Sequence, residues 1–237
     1  MTSVGILAPM TSEMAPIVRL LALRRTSTPD GTFWSGDAGG VRVTAALAGV
    51  GPAPAADATR RLLRRAAPDH VVVVGVTGGL DPRLRVGDLV VPAVVRDAAS
   101  QAEWRPTLLP GLDASGVMLT TAEFLTDEVV LAGLAEDGVV SLDMEAAAVA
   151  AVCAEQGVAW SVVRAVSDRP SDGLVDEAIF GLTRPDGRPD LGAVARLLLR
   201  HPTRVRTLAR IARDLRVATN AAARAAVDAV RRAGAEA

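Results

Sequence analysis

Short valine-rich runs alternate with helical segments along most of this 237-residue chain, and that alternation limits the folds it can adopt. Parallel strands that are covered on both faces appear in a sequence as short continuous apolar runs. Seven such runs lie at residues 4–7, 41–47, 70–74, 89–91, 117–119, 139–142 and 160–166. Four predicted helices lie among them, at residues 13–23, 53–65, 126–134 and 145–156, and the first two show helical spacing of apolar residues.

This order of strands and helices predicts one three-layer α/β/α domain over residues 1–237, with a mixed, mostly parallel central sheet. Half of the residues are hydrophobic, which is enough for a single core of this size. Residues 190–237 differ, because they suggest two arginine-studded helices, and we predict a helical C-terminal extension there. Its arginines could serve an anionic ligand or a membrane surface. Interspersed aspartates favour instead a solvated helix whose alanines and leucines pack on the domain or on a second subunit.

The composition excludes several classes of chemistry. All 26 basic residues are arginine, so a Schiff-base lysine and a P-loop lysine are impossible. Two histidines, His70 and His201, and the single Cys153 make a metal site unexpected. The net charge of −1 gives no general attraction to nucleic acid. No apolar run reaches the roughly 18–20 residues of a membrane span, and no basic leader precedes the first strand. We therefore expect a soluble, cytoplasmic protein.

Two glycine-rich segments follow predicted strands. Residues 75–80 could bring a ligand close to the backbone or could be an ordinary turn. Residues 49–51 begin a dinucleotide-binding pattern, but Pro54 stands where the third glycine is needed. We therefore expect no nicotinamide cofactor, and no cofactor of another kind is indicated.

Two acids are placed where ligands bind in α/β proteins. Glu145 opens a predicted helix, and Asp168 ends a predicted strand. Ligands of parallel α/β sheets lie beyond the carboxyl ends of strands and near helix N-termini. Both side chains should therefore face one crevice and carry out acid chemistry on a small molecule.

Four blocks in the right order resemble one family, the purine nucleoside and uridine phosphorylase superfamily. Its methylthioadenosine/S-adenosylhomocysteine nucleosidase branch is the most similar by pattern. The blocks lie at residues 4–13, 78–91, 143–148 and 164–168. The resemblance implies a nucleoside substrate and a homodimer or higher homo-oligomer.

The resemblance also implies roles for individual residues. Asp168 would donate a proton to N7 of the departing purine, with Ser167 orienting it. Glu13 would position the attacking water, while Glu145 would hold the ribose hydroxyls above Met144. Each acid has a plainer interpretation: Glu13 and Glu145 could complement helix dipoles, and Asp168 could be a turn residue before Pro170.

Other positions would bind the base or support the site. Phe124 would stack on the purine, and the Leu125 backbone would hydrogen-bond to it, although Phe124 could instead be a core residue. Arg164 would support the site from beneath or act only as a structural ion-pair partner. The remaining implied binding residues are Thr77, Gly78 and Met10. Apolar pocket candidates are Trp104, Leu108, Leu109, Ile179 and Phe180.

Two departures from the family pattern affect the predicted reaction. Val76 stands where these enzymes usually carry a serine, and the segment Thr11-Ser12-Glu13 stands in place of the arginine-bearing phosphate loop of hexameric phosphorylases. Because an acid repels phosphate, we predict hydrolysis of a purine nucleoside, in particular a 5′-modified adenosine, with release of adenine. The alternatives are phosphorolysis, with phosphate as a second substrate, and a catalytically silent binding protein. Residues 181–190 and the arginine-rich tail resemble a hopanoid-associated branch, which would remove adenine from an adenosylated hopanoid precursor.

Overall fold

A computed structural model describes residues 1–169, 192, 197 and 204–236. The strands are β1 (Ser3–Ala8), β2 (Arg24–Thr28), β3 (Gly31–Asp37), β4 (Arg42–Leu47), β5 (His70–Gly79), β6 (Leu89–Val90), β7 (Val94–Asp97), β8 (Glu103–Trp104), β9 (Val117–Thr120), β10 (Val139–Asp143) and β11 (Ala159–Asp168). The helices are α1 (Thr11–Leu20), α2 (Pro52–Ala66), α3 (Glu128–Glu136), α4 (Ala146–Gln156) and α5 (Val205–Ala235). Of the predicted positions, Ile179, Phe180 and His201 lie outside the described residues, and so does most of the first predicted tail helix.

Within the described residues, all the strands join one mixed 11-stranded sheet, in the order β2-β3-β4-β1-β5-β10-β9-β7-β8. Strand β11 lies off this path and pairs with β5 and β6. The long strand β5 organises the sheet, because it pairs parallel with β11 from His70 to Gly78 and parallel with β1 from His70 to Val73. Its last residues, Gly78 and Gly79, also pair antiparallel with Leu142 and Ser141 of β10. This junction brings the ends of β5, β10 and β11 together.

The predicted mixed α/β fold is confirmed, and each valine-rich run falls within a strand or extends past one end of it by a single residue. Four strands were not predicted: β2, β3, β7 and β8. Strand β2 is almost wholly exposed, and it forms an antiparallel hairpin with β3 at one edge of the sheet. Antiparallel edge strands can face water and so lack a continuous apolar run. Strand β8 has only two residues, too few for a pattern.

The core lies on both faces of the sheet. Helices α1 and α5 contribute to one apolar cluster, and α2 and α4 contribute to the other. Helix α5 buries Ala218, Ala222, Ala226 and Val230, which are four residues apart and therefore lie on one face of the helix. The small alanine side chains let α5 approach β5 and β11 closely. The alanines of the tail thus pack on the domain. Residue 190, where the helical C-terminal extension was predicted to begin, lies outside the described residues.

None of the helices in the described part of the chain combines the length and apolar character that a bilayer crossing requires.

Candidate active site

Arg164 of β11 is the centre of a buried cluster of three carboxylates. Its Nη2 lies 2.6 Å from Oδ2 of Asp143 and 2.9 Å from Oε2 of Glu145. Its Nη1 lies 3.8 Å from Oε1 of Glu13. The Arg164 side chain is 1% exposed, so these charges interact with little screening by water. We call these four residues the Arg164 cluster.

Glu13 lies in the first turn of α1, directly after β1. Its Oε2 accepts a hydrogen bond from the Met10 backbone N–H at 2.7 Å, and its Oε1 accepts one from the Val76 N–H at 2.8 Å. Burial raises the pKa of Glu13 to about 7, with Glu145 adding to the effect and Arg164 opposing it. Glu13 therefore gains or loses its proton close to neutral pH.

Glu145 precedes α4 and is held from two sides. Its Oε2 accepts a hydrogen bond from Arg164, and its Oε1 accepts one from the Gly51 backbone N–H at 3.0 Å. Burial raises the pKa of Glu145 above its ordinary value, with Arg164 opposing this and Asp143 adding to it. The segment around Gly51, which the sequence suggested only as an incomplete dinucleotide pattern, here supplies a backbone donor to the site.

Asp143 is a member of the Arg164 cluster to which the sequence analysis assigned no role. Its Oδ2 accepts a hydrogen bond from the Ala146 N–H at 2.9 Å, at the start of α4, as well as from Arg164. Its Oδ1 accepts a hydrogen bond from the Thr120 hydroxyl at 2.6 Å. Asp143 therefore fixes both the arginine and the first turn of α4. The sequence could have indicated Asp143, because it is an acid at the end of an apolar strand, two residues before Glu145.

Gly75 provides the space in which the Arg164 cluster forms. It pairs with Arg164 across β5 and β11, and residues 75–79 continue strand β5 instead of forming the turn considered from the sequence. A Cβ atom on Gly75 would lie 2.2 Å from Oε1 of Glu13 and 2.5 Å from Nη1 of Arg164. Any larger residue at this position would separate the two charged groups.

Ser167 and Asp168 end strand β11, beyond the Arg164 cluster. The Ser167 hydroxyl donates a hydrogen bond to Oδ1 of Asp168 at 2.5 Å. The register of β11 against β5 shifts between Val166 and Asp168, as at a β-bulge, and such a bulge redirects the side chains that follow it. Both residues are half-buried, unlike Arg164. Arg164 and Asp168 are four residues apart on one strand, so their Cα atoms are roughly 13 Å apart.

Two further predicted binding residues lie where β5 meets β10. Thr77 is buried, and its hydroxyl donates a hydrogen bond to the Leu142 carbonyl at 2.6 Å, which links the two strands. Gly78 follows it, half-buried, and pairs with Asp168. Contact of either residue with a substrate stays a prediction.

The other predicted binding residues lie on connecting segments. Met10 and Met144 are half-buried. Met144 lies between Asp143 and Glu145 in sequence, and the Met10 backbone N–H donates a hydrogen bond to Glu13. Phe124 and Leu125 are half-buried in the loop between β9 and α3, where Leu125 packs against a small apolar cluster. Their roles toward a purine also stay predictions.

Leu109, one of the apolar pocket candidates, lies in the core, and a contact with substrate stays a prediction. Leu109 is 4% exposed and belongs to the core cluster that includes residues of α5. Its loop is anchored at the other end of β11, because the Thr107 N–H donates a hydrogen bond to the Trp160 carbonyl at 2.8 Å. Trp104 packs against the opposite core cluster, and Leu108 is 49% exposed.

His70 lies at the first residue of β5, far from the cluster along that strand. It is buried, and its Nε2 lies 2.7 Å from Oγ of Ser161. The Ser161 hydroxyl in turn donates to the Thr107 carbonyl at 2.5 Å, so His70 is the donor to Ser161. Burial lowers the pKa of His70 to about 4, which keeps the ring neutral at pH 7. His70 and Ser161 therefore hold a loop in place and do not form a base–nucleophile pair.

The described residues contain no group of His, Cys, Asp or Glu side chains arranged to hold a metal ion.

Comparison with known proteins agrees with this fold. The sequence matches the family profile described as "Phosphorylase superfamily" over residues 3–111 and 112–200. The chain therefore belongs to the phosphorylase superfamily and is one of its enzymes.

Its relatives and structural neighbours include nucleosidases. The 5′-methylthioadenosine/S-adenosylhomocysteine nucleosidase of Anoxybacillus flavithermus is 30% identical over 197 residues, which cover 70% of this chain and 85% of that one. The nucleosidase of the same name from Neisseria meningitidis, solved with methylthio-immucillin-A, has a TM-score of 0.74 and 19% identity, covering 98% of this chain and 100% of that one. Futalosine hydrolase of Helicobacter pylori has a TM-score of 0.73 and 17% identity, covering 98% of each chain.

Proposed function

We propose that this protein hydrolyses the N-glycosidic bond of a purine nucleoside, and that its preferred substrates are 5′-modified adenosines from which it releases adenine. One observation carries the proposal. Three buried carboxylates meet one arginine, and a serine–aspartate pair lies four residues further along the same strand. The Arg164 cluster and the Ser167–Asp168 pair therefore lie at two points along β11, so that one can face the sugar and the other the base.

Cleavage of an N-glycosidic bond creates two charges that the protein must stabilise. Negative charge develops on the departing base, and a positioned carboxylic acid removes it by protonating the base. We assign this proton transfer to Asp168, aimed at N7 of the purine. The hydrogen bond from Ser167 supports the assignment, because it fixes one oxygen of the Asp168 carboxyl group.

Positive charge develops on the ribose, as in the oxocarbenium-like transition states of glycoside hydrolysis. The Arg164 cluster supplies one cation and up to three anions, so its net charge is negative whenever at least two of its acids are ionised. A preorganised negative potential stabilises such a cation most where water is excluded. We assign the ribose hydroxyls to Glu145, with Met144 beneath the sugar.

The attacking group that fits this site is water. We assign its positioning to Glu13, whose carboxylate is oriented by the N–H groups of Met10 and Val76. Among the described residues, Arg164 is the only cation in contact with the cluster, and carboxylates already surround it. Phosphate would therefore meet negative charge, with no further arginine of the described residues at the cluster to bind it, which favours hydrolysis over phosphorolysis.

The relatives support the choice of a 5′-modified adenosine. The relative that is 30% identical is named for methylthioadenosine and S-adenosylhomocysteine, and a neighbour with the same name was solved with a methylthio-immucillin. A futalosine hydrolase shares the fold, so the fold alone does not select the substrate.

A product assay tests the proposal. The purified protein is incubated with adenosine, methylthioadenosine, adenosylhomocysteine, inosine and an adenosylated lipid mimic, each with and without phosphate, and free base and free sugar are separated by chromatography. We expect adenine and an unphosphorylated sugar from a 5′-thio-substituted adenosine in the absence of phosphate. Strict dependence on phosphate, or a bound nucleoside that is never cleaved, would overturn it.

A further inference from the structure

A groove lies between the last turn of α1 and the outer face of α5, on the sheet face that these two helices cover. Its volume is about 610 Å³, and its lining includes Arg19, Leu20, Arg213, Arg216, Val217 and Arg224. None of these residues belongs to the Arg164 cluster or to the Ser167–Asp168 pair. We call this cavity the α1–α5 groove.

The helical repeat places the α5 residues of the groove in one stripe. Arg213, Arg216 and Arg224 are separated by three and eight residues, which returns each to the same side of an α-helix. The stripe from Arg213 to Arg224 is roughly 16 Å long at about 1.5 Å per residue. Arg19 joins it from α1, since its Nη2 donates to Oδ1 of Asn220 at 3.3 Å.

Within the described residues, the positive charges of the α1–α5 groove are mostly uncompensated. Asp214 is 6% exposed and is shared between Nη2 of Arg213 at 2.9 Å and Nε of Arg210 at 3.5 Å. In the part of the chain that the structure describes, neither Arg216 nor Arg224 forms an ion pair, and the partner of Arg19 is the neutral Asn220. The chain as a whole carries a net charge of −1, so this local excess of arginine does not reflect its overall charge.

Apolar surface adjoins these charges. Leu20 is 38% exposed and Val217 is 46% exposed, and both line the groove. A ligand that satisfies both kinds of surface carries an anionic group and an apolar part. The planar guanidinium fork of arginine pairs with two oxygens of a phosphate at once.

We propose that the α1–α5 groove binds a phosphate ester whose organic part is apolar. The phosphate lies among Arg19, Arg216 and Arg224, and the organic part covers Leu20 and Val217. A soluble alkyl phosphate and the headgroup region of an anionic phospholipid share this chemistry, and experiment distinguishes them.

Calorimetric titration of the full-length protein with hexyl phosphate tests the proposal, with inorganic phosphate and hexanol as comparison ligands. The test variant is the double substitution Arg216→Gln and Arg224→Gln. The matched control is Arg64→Gln and Arg65→Gln, which removes the same charge from an exposed part of α2. We expect hexyl phosphate to bind more tightly than either comparison ligand. Its affinity should fall by about tenfold or more in the test variant and stay within about twofold in the control.

Sedimentation with vesicles identifies the source of the phosphate. Binding to phosphatidylglycerol vesicles, absent with phosphatidylcholine and lost in the test variant, identifies a lipid headgroup. Binding of hexyl phosphate without vesicle binding identifies a soluble ester. Equal loss of affinity in the two double variants would show a general charge effect and overturn the proposal, as would hexyl phosphate binding no better than hexanol. Nucleoside cleavage should be unchanged in the test variant, so this result is independent of the proposed catalytic function.

Discussion

Glu145 and Arg164 form a buried ion pair at 2.9 Å, and the second oxygen of Glu145 accepts the Gly51 N–H. Glu145 immediately precedes α4, Arg164 lies inside β11, and Gly51 immediately precedes α2. This pair therefore joins three elements at the point where the candidate chemistry takes place.

Replacing Arg164 by methionine should destabilise the protein strongly. The substitution keeps much of the side-chain volume but leaves three buried carboxylates without a cation, and breaking a buried pair in this way costs about 3–5 kcal/mol. Urea denaturation at pH 7.5 measures the free energy of unfolding. Arg65→Met on the exposed side of α2 is the control and should change it by less than about 0.5 kcal/mol. An Arg164→Met protein that is as stable as this control would contradict the ion-pair argument.

Gly75→Ala should abolish most activity because its methyl group would enter the space between Glu13 and Arg164. We expect kcat for nucleoside cleavage to fall by about 100-fold or more, since small displacements in a site can cost that much. Gly133→Ala, in α3, is the matched control, because an added Cβ there meets no atom within 4 Å. That variant should keep its activity and gain about 0.5–1 kcal/mol of stability from better helix propensity. Full activity in Gly75→Ala would show that catalysis does not need the close approach of Glu13 and Arg164.

The pH dependence of kcat/KM should reflect Glu13. Its pKa of about 7 means that the carboxylate form, which positions water, is lost as the pH falls below 7. We expect log kcat/KM to rise with a slope of one up to about pH 7 and then level off, since kcat/KM reports ionisations of the free enzyme. The same shift makes folding less favourable as the pH rises from 4.5 through 7, because the buried acid must then ionise. An ascending limb centred near pH 4.5 would exclude Glu13 as the titrating group.

His70 should give stability the opposite dependence on pH. Its pKa falls from 6.5 in the unfolded chain to about 4 in the fold, so the unfolded chain binds the proton more readily. The stability that this histidine contributes is complete above pH 6.5 and is lost as the pH falls toward 4, by about 3 kcal/mol in total. The measurement is the loss of unfolding free energy between pH 7.5 and 4.5, which should be smaller by about 2–3 kcal/mol in His70→Gln than in the unmodified protein. Equal losses in the two proteins would refute this prediction.

Asp168→Asn should lower kcat by at least about 100-fold with a modest change in KM, because an amide keeps the shape of the carboxyl group but cannot donate the acid proton. Asp137→Asn, on an exposed residue after α3, is the control and should be fully active. The measurement is the steady-state rate of adenine release by each variant and by the unmodified protein. If Asp168→Asn retains full activity, another group supplies the proton.

The sequence by itself determined the layered α/β fold, because a buried strand needs a continuous apolar run and a surface helix needs an apolar face. Residues 70–74 and 160–166 show the first pattern and residues 53–65 the second, and each is a local property that can be read within one segment. The positions of Glu145 and Asp168 next to such segments also made them candidates, whereas Glu13 became one through the family resemblance. The exposed hairpin of β2 and β3 carries no such pattern, and it was therefore not predicted.

Only the tertiary structure decided what these residues contact. Asp143 looked like an ordinary strand end until Arg164, 21 residues later, was placed 2.6 Å from it. Gly75 looked like part of a turn, whereas its role is to leave space for two side chains from other elements. The pKa of Glu13 likewise depends on burial and on charges from distant segments. Contacts and electrostatic fields arise from atoms that folding brings together, and no single segment of the sequence contains them.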